Sequence, residues 1–251
     1  MTIADAPTRR APRRRRAWWR WWVGALVVLL VLLVAADRIA VAIADTEAAK
    51  TFQKSEGLDH RPSVRIRGFP FLTQLAGRDF RQVDLTATDL LLGRNGKTVR
   101  VAKLTLHLHH VRVSSHFNSA RADTVQAEAF VSYADLSSAA GIPIAYAGPS
   151  ADGRGRIKAT KTVTVAGQQI TGQISAEVRI SADDVLSFVN PQVSVAGATV
   201  PQAVADQLAT AFGAPIPLVR LPFGLRLQSV TAGPTGITIS LQGANLSYSS
   251  G

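Results

Sequence analysis

The chain of 251 residues contains no cysteine. It can therefore form no disulfide, no thiolate metal site and no cysteine nucleophile, and its fold depends on the hydrophobic core alone. The sequence also lacks a Gly-x-Ser-x-Gly nucleophile elbow, a phosphate-binding loop and a dinucleotide-binding fingerprint. From these absences we predict a protein that is not an enzyme, with no catalytic residues and no cofactor.

Tryptophan is missing from all but one short segment of the chain. The four tryptophans are Trp18, Trp19, Trp21 and Trp22. Six arginines precede them between residues 9 and 16, and residues 23–36 carry no charged or strongly polar side chain. A cationic block, an aromatic belt and an apolar run in this order are typical of a helix that crosses a membrane with its arginines in the cytoplasm. We predict a basic cytoplasmic tail at 1–17 and a transmembrane or signal-anchor helix at 18–36.

A cleaved signal peptide is the alternative to a permanent anchor, because residues 34–36 and 42–44 both resemble small-residue cleavage sites. A helix over residues 18–36 extends about 28 Å, close to the hydrocarbon thickness of a bilayer, which favours the anchor. Both alternatives export the body. The predicted location is the cell membrane, in a single pass with the body on the extracytoplasmic or periplasmic side, or free of the membrane if the helix is cleaved.

The net charge of +11 at pH 7 is concentrated at the N-terminus. Residues 1–20 hold seven arginines and one aspartate, a net charge of +6, which leaves +5 for the rest of the chain. An arginine cluster beside an apolar run is explained by membrane topology, so we predict no nucleic-acid partner. The mildly basic body suits either contact with anionic lipid headgroups or plain solubility, and the membrane is a predicted partner.

The body alternates apolar and polar residues in the manner of strands. Residues 37–57 have helical spacing and predict a juxtamembrane helix, whereas residues 58–251 predict a β-rich domain. Hairpin turns are predicted at 93–96, with the Asn-Gly pair at 95–96, and at 166–167 and 233–236. The apolar residues up to Leu108 are out of phase with those from Val111 onward, which predicts a bulge or a strong bend between them.

Short helices interrupt this predicted strand pattern. They are expected at 135–140, after Ser181, and from Pro201, and prolines are expected to bar regular structure between 215 and Leu225. Long strands with phase changes favour a curved sheet over a flat one. We therefore predict an α+β fold, mostly antiparallel β, in which a strongly curved sheet wraps short helices around an apolar groove.

Two polar clusters invite a functional interpretation. His107 and His109 share one face of a strand, but a zinc site needs a third ligand and none lies near in sequence, so we predict solvated side chains and no metal. Arg154 and Arg156, with Lys158 and Lys161, form a small basic cluster. It is interpreted either as a solvated loop or as a contact for anionic headgroups.

Two short segments combine proline with phenylalanine and leucine, at 68–75 and at 221–225. Each is either a turn packed into the core or a hydrophobic lip that admits acyl chains or dips into a bilayer. The residues predicted to contact lipid are Phe69, Phe71, Leu72, Leu75, Phe223 and Leu225.

Residues 64–75, followed by residues 80–87, resemble the opening of the LmeA-like family, and residues 221–225 with the last hairpin resemble its C-terminal part. The resemblance covers roughly residues 45–248. These are phospholipid-binding proteins of the actinobacterial cell envelope. The resemblance implies binding of phospholipid, including anionic phosphoinositide-type lipid, in the periplasm or at the outer membrane face, a link to elongation of envelope lipoglycans, and an elongated curved sheet like that of tubular lipid-binding proteins.

Our leading hypothesis is a membrane-anchored, extracytoplasmic phospholipid-binding protein that supports envelope lipid or lipoglycan biogenesis. The residues predicted to contact the headgroup are Arg65, Arg67, Arg78 and Arg81. The alternative is a non-catalytic structural or adaptor protein that scaffolds envelope glycosyltransferases, with other envelope-biosynthesis proteins as partners. A third hypothesis, a hydrolase or transferase, depends on the histidine pair alone.

Overall fold

The structure is a computed structural model of the chain. It describes residues 15–55, 57–94, 97–115, 119–165, 168–180, 185–195, 216–217 and 225–249. The first element is one long helix, α1 (Arg15–Ser55). Within it, Trp18–Lys54 is long and apolar enough to cross a membrane, with a mean hydropathy of 2.7 in its most apolar stretch.

The helix α1 has two halves with different surroundings. Residues 18–36 are exposed along every face, whereas the side chains from Asp37 onward are buried or half-buried at helical spacing. The packed residues are Asp37, Ala40, Val41, Ala44, Asp45, Ala48, Ala49, Phe52 and Gln53. The first charged residue after the apolar run is therefore also the first one that packs on the body.

Six strands form the first sheet, and all neighbouring strands are antiparallel. In spatial order they are β1 (Ser63–Arg67), β2 (Asp79–Arg94), β3 (Lys97–Val113), β4 (Ser119–Ser132), β11 (Gly236–Ser249) and β10 (Arg226–Ala232). Two short helices follow strands of this sheet along the chain: α2 (Phe71–Gly77) follows β1, and α3 (Tyr133–Ala140) follows β4. The chain leaves the sheet after β4 and returns to it with its last two strands, β10 and β11.

The excursion builds a second antiparallel sheet. Its strands are β5 (Ile144–Tyr146), β6 (Arg156–Val165), β7 (Gln168–Ile180), β8 (Val185–Val195) and β9 (Ile216–Pro217), in that order. Val178 of β7 and Ile157 of β6 pack against a buried cluster that contains Leu227, Val230 and Leu241 of the first sheet. The two sheets therefore share part of one core.

The helices lie on the apolar face of the first sheet. Ala48, Ala49 and Phe52 of α1 pack with Val64 and Leu85, among others. Ala40, Val41 and Ala44 of α1 pack instead against a cluster formed by Phe71, Phe80, Val111, Ala122 and Val125. Since a helix needs a packed apolar face to be stable in water, the second half of α1 is part of the fold.

In four neighbouring strands, the alternation of side chains between the two sheet faces reverses along one row that crosses the strands, which we call the seam. The seam consists of Arg81, His110, Asp123 and Asn245. None of these residues is paired with the neighbouring strand, and the pairing register is the same on both sides of them. His110 has φ +50° and Asn245 has φ +55°, a conformation that His and Asn tolerate better than most residues. The irregularity expected between Leu108 and Val111 lies at His110 and extends beyond β3. Because one residue is passed over on each strand and the register does not shift, it is not a bulge, which would place an extra residue on one strand.

The predicted fold class is confirmed: the described chain is mostly antiparallel sheet with few helices and a long apolar N-terminal helix. The strands form two sheets, and the predicted wrapping around an apolar groove stays a prediction. The hairpin pairings and the helix ending before Gly141 are confirmed, although turn residues 95–96 and 166–167 lie outside the described residues. The domain limits also stay predictions.

One predicted helix is wrong. The segment after Ser181, with Val185, Leu186, Phe188 and Val189, is the strand β8, which pairs with β7 from Leu186↔Ile180 to Gly172↔Val195. A short apolar run is compatible with both states, and pairing with β7 decides between them. Ile216–Pro217 is also a strand where prolines were expected to prevent one. The helix predicted from Pro201 lies outside the described residues.

Candidate functional site

The corner formed by Gly68, Phe69, Pro70 and α2 lies against α1 directly after the apolar run. The backbone N–H of Leu72 donates a hydrogen bond of 2.8 Å to Oδ1 of Asp37. The guanidinium carbon of Arg38 lies 5.3 Å from the centroid of the Phe69 ring, within cation–π range. The corner is therefore held at the first two polar residues that follow the apolar half of α1.

Helix α2 divides its apolar side chains between the core and the surface. Phe71 is only 1% exposed and stacks on Phe80 with ring centroids 6.1 Å apart. Leu75 is half-buried in the same cluster. Phe69 and Leu72 are 52% and 38% exposed, respectively. Phe71 is thus a core residue, whereas Phe69 and Leu72 are exposed apolar side chains, which we call the lip. That the lip admits acyl chains or enters a bilayer stays a prediction.

Gln74 fixes the shape of this corner. It is buried, its Oε1 accepts the backbone N–H of Arg81 at 2.9 Å, and its Nε2 donates to the carbonyl of Pro70. Gly68 has φ +107°, and a Cβ added there would lie 2.7 Å from Nε2 of Gln74. Only glycine suits this position, because the backbone is left-handed and the glutamine amide occupies the space of a side chain.

The polar face of the first sheet carries a basin at its β1 end. The basin has a volume of about 300 Å³ and is lined by Ser63, Arg65, Arg67, Asp84, Thr86 and His107. The register brings these residues together, since Arg65 is the cross-strand partner of Asp84, and Asp84 is the partner of His107. The alternation of side chains along each strand puts all of them on one face.

Asp84 is the buried centre of this basin. Its Oδ1 accepts hydrogen bonds from Nε2 of Gln82 at 2.7 Å and from Nδ1 of His107 at 2.8 Å, and its Oδ2 is ion-paired with Nε of Arg67. Burial by itself would raise the pKa of Asp84, but the hydrogen bonds from His107, Gln82 and Arg67 outweigh it and lower the pKa to about 2. The carboxylate is therefore ionised at any physiological pH.

The remaining predicted site residues are distributed around these two features. Arg78 is the exposed C-cap of α2 in a left-handed conformation, and Arg81 is exposed on the seam. Leu225 is half-buried and packs on the cluster that contains Phe71, so the structure brings Phe71, Leu75 and Leu225 together. Phe223 lies outside the described residues. Arg65 and Arg67 share the basin, about 7 Å apart along the strand.

A second cavity lies at the opposite end of the same sheet. It has a volume of about 520 Å³ and is lined by Thr124, Arg226, Leu227, Gln228, Gln242, Gly243 and Ala244. Leu225 lies beside it, since a Cβ added to Gly243 would approach Cδ2 of Leu225 to 2.9 Å. Leu225 therefore connects the cluster around Phe71 with this cavity.

The two arginines of the basic cluster near residue 154 are paired with the acids Asp152 and Glu177. Arg156 donates to Oε1 of Glu177 at 3.2 Å, and both side chains are mostly buried. Arg154 and Arg179 each lie 3.7 Å from Asp152. The hydrogen bond from Ser150 and the nearby arginines lower the pKa of Asp152. Arg156 is therefore packed between β6 and β7, whereas Arg154 stays about half exposed, and a headgroup contact by this cluster stays a prediction.

Sequence analysis missed three acids that organise the site: Asp37, Asp45 and Asp84. Asp37 and Asp45 accept backbone N–H groups of Leu72 and Ile66, each at 2.8 Å, and Asp84 gathers the side chains of the basin. Asp37 and Asp45 lie on the packed side of α1. Ile39 and Ile43, which set the apolar periodicity in the sequence, are instead 62% and 59% exposed. Among the described residues, no group of three histidines, aspartates or glutamates could hold a metal ion.

Comparison with known families yields one match. A family model described as LmeA-like phospholipid-binding matches residues 35–242, which is most of the chain. No curated protein and no solved structure matched it. The matched range includes the packed half of α1, the corner at Phe69 and the whole basin.

Proposed function

Because the chain belongs to the LmeA-like phospholipid-binding family, we propose that it is a membrane-anchored, extracytoplasmic phospholipid-binding protein without catalytic activity. The resemblance found in residues 64–75 and 80–87 is confirmed by the match over residues 35–242. Phospholipid binding follows from the family. The anchor, the side of the membrane, the preference for anionic lipid and a role in envelope lipid or lipoglycan biogenesis are parts of the proposal.

The anchor is supported by the surroundings of α1. Its residues 18–36 are exposed on all faces and apolar except for Arg20, and exposed apolar helix of this length is stable in a bilayer and unfavourable in water. Arg20 lies at the end beside the tryptophans, where a long cation reaches the headgroups. The arginines at 9–16 keep the N-terminus in the cytoplasm, so the body stands outside.

One observation carries the proposal for how lipid is engaged: the exposed lip of Phe69 and Leu72 is held at Asp37 and Arg38. With residues 18–36 in the hydrocarbon, these two residues lie at the outer headgroup level, and so does the lip. Phe69 and Leu72 then rest in the outer leaflet beside the anchor. Acyl chains enter behind them, next to Leu75 and Leu225, and each buried methylene contributes about 0.8 kcal/mol.

The test compares Phe69→Asp with Leu91→Asp in the full chain. Leu91 is 65% exposed, on β2 and away from α2, so it is a matched exposed apolar residue. Native mass spectrometry of detergent-extracted protein should show bound phospholipid in the wild type and in Leu91→Asp. Phe69→Asp should retain severalfold less, with an unchanged thermal transition.

Two outcomes contradict the proposal. Wild-type protein that is reproducibly empty and takes up no labelled phospholipid contradicts lipid binding. Equal retention by both aspartate variants contradicts the role of the lip. Phe71→Asp is unsuitable for this purpose, because a buried charge at a 1% exposed core position unfolds the protein whatever its function.

A further inference from the structure

We propose that the basin of Arg65 and Arg67 binds the phosphate group of a phospholipid from the same leaflet that surrounds α1. The inference rests on the proposed function and adds to it the location of the headgroup. It follows from the chemistry of the basin and from its height above the membrane.

The lining of the basin offers donors to an anion. Arg67 uses Nε for Asp84, and its two terminal nitrogens make no hydrogen bond to any described residue. Arg65 is exposed and likewise makes no hydrogen bond within the described ranges. Arg65 and Arg67 occupy positions about 7 Å apart along one strand face, so their long side chains can converge on one phosphate, and Ser63 and Thr86 add hydroxyl groups.

The acids in this region are already used by other groups. Asp84 accepts from three side chains, and Asp45, the carboxylate that faces Arg65 from α1, accepts the backbone N–H of Ile66. Asp45 does not line the basin, so two arginines and one aspartate leave its lining with a net positive charge. The basin therefore attracts an anion while its own carboxylate stays occupied.

The helix α1 sets the height of the basin. Asp37 contacts Leu72 at the membrane end, and Asp45 contacts Ile66 eight residues further along the same helix. At about 1.5 Å per residue, Ile66 lies roughly 12 Å above Asp37 along the helix axis. Arg65 and Arg67 flank Ile66, and a long arginine side chain can span the remaining distance to the headgroup layer, which extends about 5–7 Å beyond the hydrocarbon.

The experiment measures uptake of three lipids with identical acyl chains by the full chain in neutral detergent. Phosphatidic acid and phosphatidylcholine carry the phosphate, and diacylglycerol lacks it. The wild type should retain the phosphate-bearing lipids over diacylglycerol. Arg65→Gln should lower that preference about tenfold, as expected for the loss of one charge-assisted hydrogen bond, and leave diacylglycerol uptake unchanged.

Arg100→Gln is the matched control. Arg100 is about as exposed as Arg67 and is also paired with an aspartate, Asp89, but it lies seven residues from His107 along β3, roughly 23 Å away. It should behave as the wild type. Arg67→Gln is a second variant and should also lower the preference, with loss of stability because Asp84 loses a partner.

The outcomes separate the two proposals. No uptake of any lipid by the wild type refutes the proposed function itself. Equal uptake of all three lipids by the wild type and Arg65→Gln refutes the basin and leaves lipid binding intact. A further arm adds glycerol 3-phosphate without lipid. If it binds in an Arg65-dependent manner while lipid preference does not depend on Arg65, the source is a free phosphate ester and the inference is wrong.

Discussion

At the scale of single residues, the molecule is organised by carboxylates that sequence patterns do not single out. The alternation along β1 and β2 puts Arg65, Arg67 and Asp84 on polar faces. It does not show that Asp84 meets Arg67, 17 residues away, or His107, 23 residues away. Only the register of three strands brings them together. The sequence of α2 also left open which of its apolar residues are buried, because no pattern in it separates a core face from a surface face.

The lowered pKa of Asp84 predicts a pH-dependent contribution to stability. The pKa falls from 3.8 to about 2 on folding, so the contribution is fully present above about pH 4 and is lost as the pH falls through 2. We expect Asp84→Asn to lower the free energy of unfolding by about 1–2 kcal/mol at pH 7, allowing for solvent screening. The difference from the wild type should shrink between pH 4 and pH 2.

Thermal unfolding of the full chain in detergent, followed by circular dichroism, measures this difference. Asp59→Asn serves as a control, because Asp59 is an exposed carboxylate. A gap between Asp84→Asn and the wild type that stays constant down to pH 2 would contradict the prediction.

At the scale of elements, α1 serves as a scaffold that completes the hydrogen bonding of its neighbours. No side chain of α2 caps its own N-terminus, and Asp37 of α1 accepts the first-turn N–H of Leu72 instead. Asp45 accepts the N–H of Ile66 on β1, an edge strand that is covered in this way.

Helical spacing predicted α1 and alternation predicted most strands. The error at β8 arose because a serine followed by two aspartates resembles a helix N-terminus, and only pairing with β7 overrides that local signal.

Removing the carboxylate of Asp37 should loosen α2. With Asp37→Ala, the amide of Leu72 loses its acceptor, and we expect its hydrogen exchange in the full chain to accelerate about tenfold or more. Asp37→Asn keeps a carbonyl oxygen in place and should show a smaller acceleration. Exchange is allowed to proceed in the intact protein and is then measured by mass spectrometry on the proteolytic fragment that covers residues 70–77. Identical rates in the wild type, Asp37→Ala and Asp37→Asn would show that Asp37 does not hold α2.

At the scale of the whole molecule, one helix continues from the apolar residues 18–36 into the core without an intervening linker. Composition and periodicity predicted both halves of α1 and the antiparallel class. The division into two sheets could not be predicted, because it depends on β11 pairing with β4 across about one hundred residues of chain. Whether the sheets enclose an apolar groove is likewise a property of their relative placement that local patterns do not encode.

The two halves of α1 predict opposite effects of truncation. A protein that begins at residue 37 keeps every packed side chain of the helix and should be soluble, with a cooperative thermal transition. A protein that begins at residue 58 loses the packed residues Ala40, Val41, Ala44, Ala48, Ala49 and Phe52 and exposes the apolar face beneath them. It should aggregate, because the lost burial is several kcal/mol, comparable to the stability of a domain, about 5–15 kcal/mol.

The packing of α1 also discriminates between the two cleavage sites. Cutting after Ala36 spares the core, whereas cutting after Ala44 removes Asp37, Ala40 and Val41 from it. Intact-mass measurement of protein from membranes or medium should find a mature N-terminus at Met1 or Asp37. A stable product that begins at Asp45, or a well-folded protein that begins at residue 58, would contradict this account of α1.

The seam also limits how such a chain can vary in length. Arg81, His110, Asp123 and Asn245 are passed over together, so an insertion or deletion here in one strand would turn its following side chains to the wrong face relative to three neighbours. Compensation would need simultaneous changes at four separated places in the gene. In an alignment of related chains, insertions and deletions should therefore be found at hairpin turns such as 94–97. The number of residues between the seam and the end of each strand should be constant.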